Sequence, residues 1–97
     1  MINTENQIRE KAKVIMADIL GKYYSEEKIE NAFFTSNDQS VSLENPMDTW
    51  TVAIRSVFNN TDFLVFADET AEPIFYQNFN TIVSAVKKNA KGKYHIN

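Results

Sequence analysis

The chain has 97 residues, of which 43% are hydrophobic and 24% charged, with no cysteine and a formal net charge of −3. That is enough chain for one domain around a single core, and the composition excludes a disordered protein, a disulfide framework and a thiolate metal site. The charge is uneven: Tyr24–Asn78 holds ten acidic residues against two basic ones, whereas Phe79–Asn97 holds four lysines and no acid.

The first element is an amphipathic helix. Ile8, Ala12, Ile15, Met16, Ile19 and Tyr23 recur at spacings of three and four, with Arg9, Glu10, Lys13 and Asp18 on the other side. Thr4 followed by Gln7 matches a capping box, and Gly21 suits the C-terminus through its freedom at positive φ. The longest apolar run in this helix, Val14–Ala17, falls far short of the roughly 20 residues of a membrane span. The opening MINTENQIREK lacks the charged and apolar regions of a secretory signal, so a bacterial-type cytoplasmic protein is expected.

Ser25-Glu26-Glu27 predicts a short second helix over Glu26–Asn31, with acids at the positive end of its dipole; residues 32–35 fit either helix or extended chain. After the polar turn at Ser36–Gln39, Val41 and Leu43 alternate with serines as a first strand, which Asn45-Pro46 ends. Trp50, Val52 and Ile54 then share one face of a strand, and Thr51, Ala53 and Arg55 the other. The alternation slips at Ser56-Val57-Phe58, as a bulge would make it, and Asn59-Asn60 suits a turn. Phe63–Ala67 is apolar throughout and reads as a central strand covered on both faces. Pro73 can begin a last strand over Ile74–Gln77 near a sheet edge.

A C-terminal helix is expected next, capped by Asn78 or Asn80, carrying Ile82, Val83, Val86 and Ala90 on one stripe and closed by Gly92. The fold class that results is α+β: an antiparallel meander of three or four strands with N-terminal and C-terminal helices packed on one face. Residues 1–92 form a single domain, and 93–97 a flexible tail.

Catalytic equipment is sparse. The one histidine, His95, lies in the basic tail, away from any orienting partner. Gly21 and Gly92 cannot build a phosphate-binding loop, and the acids lack the spacing of a calcium loop. No catalytic residue, metal site or cofactor is therefore assigned. The candidate partner-binding residues are the turn acids Asp62, Asp68, Glu69 and Glu72, with Tyr24 and Phe34 as exposed members of the pairs Tyr23-Tyr24 and Phe33-Phe34. Trp50 reads as core. An acidic middle disfavours nucleic acid and favours a basic protein partner. The alternative is a small ligand-binding or enzymatic domain, with Asp62, Asp68 or Tyr76 converging on a pocket between helix and sheet. A homodimer or oligomer subunit is a third option.

Trp50, Val52 and Ile54, then Phe63, Val65, Asp68, Pro73 and Ile74, resemble the strand and turn positions of PepSY-type and related small α+β modules. The turn glycine of those modules is replaced here by Thr70-Ala71-Glu72. The resemblance implies non-catalytic binding or inhibition, usually in exported proteins, with no catalytic residues. In general character the chain is also similar to bacterial immunity proteins, which implies a toxin or enzyme as the basic partner.

Overall fold

The structure, a computed structural model, describes residues 1–41 and 44–96. One helix, α1 (Glu5–Leu20), packs on a six-stranded antiparallel sheet: β1 (Ile29–Asp38), β2 (Met47–Arg55), β3 (Thr61–Ala67), β4 (Pro73–Gln77), β5 (Val83–Lys88) and β6 (Tyr94–Ile96). The strands follow one another in chain order across the sheet, each pairing with the next. The protein is α+β, as the sequence predicts, but the described residues form six strands and a single α-helix.

The start of α1 follows its sequence signals. The Thr4 hydroxyl accepts from the Gln7 amide and the Gln7 side chain accepts from the Thr4 amide, which satisfies two helix-end donors reciprocally. Gly21 ends the helix at φ 57°. The predicted stripe is buried at Ile8, Ala12, Ile15 and Met16, but Tyr23 lies in a 3-10 turn beyond the helix and is exposed. Those four residues meet Trp50, Val52, Ile54, Leu64 and Phe66 from the sheet in one core. Closing this surface from water is the main favourable contribution to folding.

Side chains of α1 also occupy the outer backbone of both edge strands. The Ala32 amide of β1 donates to Glu5 Oε2 (3.3 Å), and Arg9 Nε donates to the Glu30 carbonyl (2.8 Å). At the far edge the Tyr94 amide of β6 donates to Asp18 Oδ2 (3.1 Å). Unpaired strand edges invite association with other chains, and here one helix blunts both.

Several expectations are corrected. The short helix over Glu26–Asn31 shrinks to a 3-10 turn at Glu26–Lys28, and strand β1 begins at Ile29. A register shift between Ile29 and Ala32 sets these two inward residues three apart, a spacing that mimics a helix. Val41 lies in a turn, and Leu43, the other half of the predicted first strand, lies outside the described residues. The slip at Ser56–Phe58 is a 3-10 turn that closes the β2–β3 hairpin. Strand β4 lies inside the sheet, between β3 and β5, and not near an edge.

The expected C-terminal helix is the hairpin β5–β6. The expected N-cap residues lie in a turn, where Asn78 Oδ1 accepts from the Asn80 and Ile82 amides; in the next turn Asn89 Oδ1 accepts from the Lys91 and Lys93 amides. Gly92 adopts φ 79° in the second turn. Asn side chains that bond the backbone two residues on favour turns as strongly as helix starts, and the β-branched Thr81, Ile82 and Val83 favour the extended chain. The segment read as a tail carries β6, with Tyr94 buried and His95 exposed.

Candidate binding cleft

At the end of the sheet where β1, β3 and β5 finish, the β3–β4 turn and the chain before α1 flank a cleft of about 520 Å³. Asp48, Asp68 and Glu69 supply carboxylates to its wall, and Asn37 and Thr70 supply neutral polar groups. Ile2, Pro46, Met47 and Ala67 make up the remainder, so acid and apolar surface adjoin with no basic residue in the lining.

Asp68 is the fixed anion of this wall. Its side chain is buried, and Oδ1 accepts from the Asn3 amide (3.0 Å) and from Trp50 Nε1 (2.8 Å). Oδ2 accepts from the Ile2 amide (2.6 Å), while Asn3 Nδ2 donates to the Asp68 carbonyl (2.6 Å). Burial pushes the carboxyl pKa up, but the bonds from the Asn3 and Ile2 amides and the Trp50 indole outweigh it and hold the group below the ordinary carboxylate value. A buried carboxylate with this many donors stays charged.

Asp48 and Glu69 present the accessible charge. Asp48 Oδ1 accepts from the Asn37 amide (3.0 Å), and its carbonyl accepts from the Asp68 amide (3.0 Å), so both strands that feed the cleft are tied to it. Glu69 is exposed on the β3–β4 turn. Beside them, Asp38 accepts from the Ser40 amide and from the buried Thr49 hydroxyl (2.6 Å). Burial raises the Asp38 pKa, and the Ser40 and Thr49 hydrogen bonds more than reverse that rise.

The structure distributes the sequence-predicted residues widely. Asp62 is buried at the opposite end of the sheet, where it accepts from the Tyr76 hydroxyl and from the Phe79 amide (2.9 Å). Glu72 takes the Tyr94 hydroxyl (3.2 Å) and an ion pair with Lys11 (3.6 Å), which ties the β3–β4 turn to β6 and α1. Phe34 packs edge-on against Trp50, with ring centroids 5.4 Å apart, as part of the core margin. Tyr24 is half-buried and also packs on the core. Of the six candidates, only Asp68 and Glu69 meet in one cleft; Asp48 and Asn37 were missed. The burial of the two aspartates has a signal in the chain: Asp62, Leu64 and Phe66 share one face of β3 at period two, and Asp68 continues that period one residue beyond the strand.

The space between helix and sheet is filled by the core side chains, and the cleft lies outside it. Among the described residues no group of three or more acidic or histidine side chains is placed to hold a metal ion. No helix among them is long and apolar enough to cross a membrane. Compared with known proteins, the chain matches no family model, no curated protein and no solved structure.

Proposed function

We propose that the protein is a non-catalytic binding module of the inhibitor or immunity type, whose acidic cleft receives a basic side chain from a protein partner. The observation that carries this reading is the pairing of surfaces in the cleft: Asp48, Asp68 and Glu69 beside Ile2, Pro46 and Met47. A lysine or arginine side chain has the matching form, an aliphatic stem with a cation at its tip. The rigid Asp68 carboxylate fixes the field, and the more accessible Asp48 and Glu69 make the contact. This moves the expected acidic surface from the turn acids in general to one end of the sheet, and it releases Asp62 and Glu72, whose partners lie within the fold.

A direct test is an amide-resolved NMR titration with N-acetyl-arginine amide and N-acetyl-lysine amide. The expected shifts centre on Asn37, Asp48 and Ala67–Thr70, and they fade on adding salt and in Asp48→Asn and Glu69→Gln. Shifts that are absent, or that Asp48→Asn and Glu69→Gln leave unchanged, refute the assignment. With the natural partner in hand, Glu69→Lys should slow association and flatten the loss of affinity with salt.

A further inference from the structure

The two edges of the sheet are unequally protected. Strand β6 has three residues, with Lys93 just ahead of it. Strand β1 has ten, and among them is no lysine, arginine or proline, the residues that commonly guard an edge. Helix α1 covers β1 only as far as the Ala32 amide, which points outward to Glu5 Oε2. Backbone groups alternate along a strand, so Phe33 and Thr35 turn their N–H and C=O towards Thr51 and Thr49 of β2. The Asp48 carbonyl, which faces β3, fixes the same phase from the other side of β2. The Ala32 carbonyl, both groups of Phe34 and the Ser36 amide therefore point away from the sheet. None of them has a partner among the described residues. Thr35, Ser36 and Asn37 are exposed beside them, and Phe33 is 55% open. This edge leads to the acidic cleft, because Asn37 is part of the cleft wall.

We infer that an extended segment of a protein partner adds to the sheet as an antiparallel strand beside β1 over Ala32–Ser36, with a lysine or arginine at its N-terminal end entering the cleft. The cation rests on the reading of the cleft given above; the strand addition does not. Phe34 makes the central pair, donating to and accepting from one residue of the segment. The Ala32 carbonyl and the Ser36 amide bond the residues two places to either side. The residue beside Phe33 lies against its exposed ring, so an apolar or β-branched side chain suits that place. Charge selects this occupant over a second copy of the chain. Pairing β1 with β1 about Phe34 would bring Glu30 of each copy towards Asp38 of the other, and like charges across strands destabilise a pair. Asp38, Asp48 and Glu69 make the Asn37 end of the edge negative, which favours a basic segment.

The probe is a capped peptide of paired lysines followed by alternating threonine and valine, long enough to span Ala32–Ser36, titrated into the full chain by amide-resolved NMR. The expected shifts centre on the Ala32–Asn37 amides, with a Kd on the order of 1 mM. N-methylation of alternate peptide amides is the sharper arm, since both phases carry the same load of methyl groups. The phase that faces β1 should abolish binding, and the other should leave it within about twofold. Ser36→Pro removes an outward N–H and no bond of the sheet. It should weaken binding about tenfold, the worth of one hydrogen bond, with the circular dichroism spectrum unchanged. Replacing the lysines by glutamine separates the two readings. Unchanged affinity, with the methylated phases still distinct, overturns the cleft assignment and leaves the strand addition standing. Four results each overturn the strand addition: no shift at Ala32–Asn37 up to about 5 mM peptide, equal affinity of the two methylated phases, a folded Ser36→Pro chain that binds like wild type, or a chain that dimerises through β1 with its Phe34 amide protected from exchange without peptide. The methylation arm uses the wild-type chain, so misfolding of Ser36→Pro cannot leave the question open.

Discussion

Trp50 donates its indole N–H to the Asp68 carboxylate across 2.8 Å, and this bond joins the core to the rim of the cleft. The same carboxylate accepts the Ile2 and Asn3 amides, just ahead of the Thr4 cap. One buried side chain therefore holds β2, the β3–β4 turn and the entry to α1 in a fixed relation. The cleft inherits its geometry from these bonds, because Ile2 and Asp68 are both part of its wall.

Asp68→Asn tests that arrangement. An amide side chain offers one acceptor and one donor where three N–H donors converge, so at least one buried donor loses its partner. Losing buried charge-assisted hydrogen bonds should cost about 2–3 kcal/mol. For a domain of this size that lowers Tm by about 10–20 °C. The pH dependence has a definite sign. The folded-state pKa of Asp68 is depressed, so its stabilisation is complete above the ordinary carboxylate value of about 4 and is lost as pH falls through the folded value. The gap between wild type and Asp68→Asn should therefore begin to narrow as pH falls below about 4, and a gap that stays constant through the acid range would refute the role of the charge.

Tyr76→Phe probes the buried pair at the other end of the sheet. Without the Tyr76 hydroxyl, Asp62 keeps the Phe79 amide but loses its side-chain donor. The expected loss is about 1–3 kcal/mol near neutral pH, measured by urea unfolding. Burial and the Asp62 carboxylate raise the phenol pKa in the folded state. Its contribution is thus present below the unfolded value of about 10 and disappears as pH rises above it. Wild type should lose stability faster than Tyr76→Phe above about pH 10; parallel profiles would count against the pair.

Tyr24→Phe should act in the opposite direction. The Tyr24 hydroxyl oxygen is buried and has no hydrogen-bond partner among the described residues. Removing an unsatisfied hydroxyl spares its desolvation cost, so stability should rise by about 1 kcal/mol. Tyr23→Phe, at a 71% exposed ring in the same turn, is the control and should change little. A Tyr24→Phe protein less stable than this control would show that the hydroxyl has a partner after all.

How much of this was legible in the chain follows from where side-chain periodicity and backbone pairing agree. Helix α1 and strand β2 were readable because each holds one period to its end, with Thr4 and Gln7 marking the helix start. Strand β1 was not, because its irregular register puts Ile29 and Ala32 on one face at a spacing of three. Asn78, Asn89 and Gly92 carry no information that separates a capped helix from a hairpin; pairing with β4 decides it, and pairing is non-local. The acidic cleft was half legible. The acids were visible as turn residues, but their sorting into a buried anchor, an internal tie and accessible charge depends on non-local partners: the Ile2 and Asn3 amides for Asp68, and Lys11 and Tyr94 for Glu72.

The tip of the β2–β3 hairpin offers a prediction about strain. Phe58 sits at φ 54°, ψ 36° and is 94% exposed, in a turn closed by the Ser56 amide to the Asn60 carbonyl and by the Asn60 amide to the Val57 carbonyl. The left-handed conformation costs an ordinary L-residue about 1–2 kcal/mol, and an exposed ring recovers little by burial. Asn tolerates this region because its short side chain bonds locally, so Phe58→Asn should raise stability by about 0.5–1 kcal/mol. Differential scanning calorimetry checks this, with Asn59→Ala, at φ 62°, expected to lower stability by a similar amount. If Phe58→Asn instead destabilises, the ring must be making contacts that offset the backbone cost. If it stabilises as expected, the chain forgoes stability to keep an aromatic side chain at a solvent-facing tip, because nothing in the packing of the hairpin calls for a phenylalanine there.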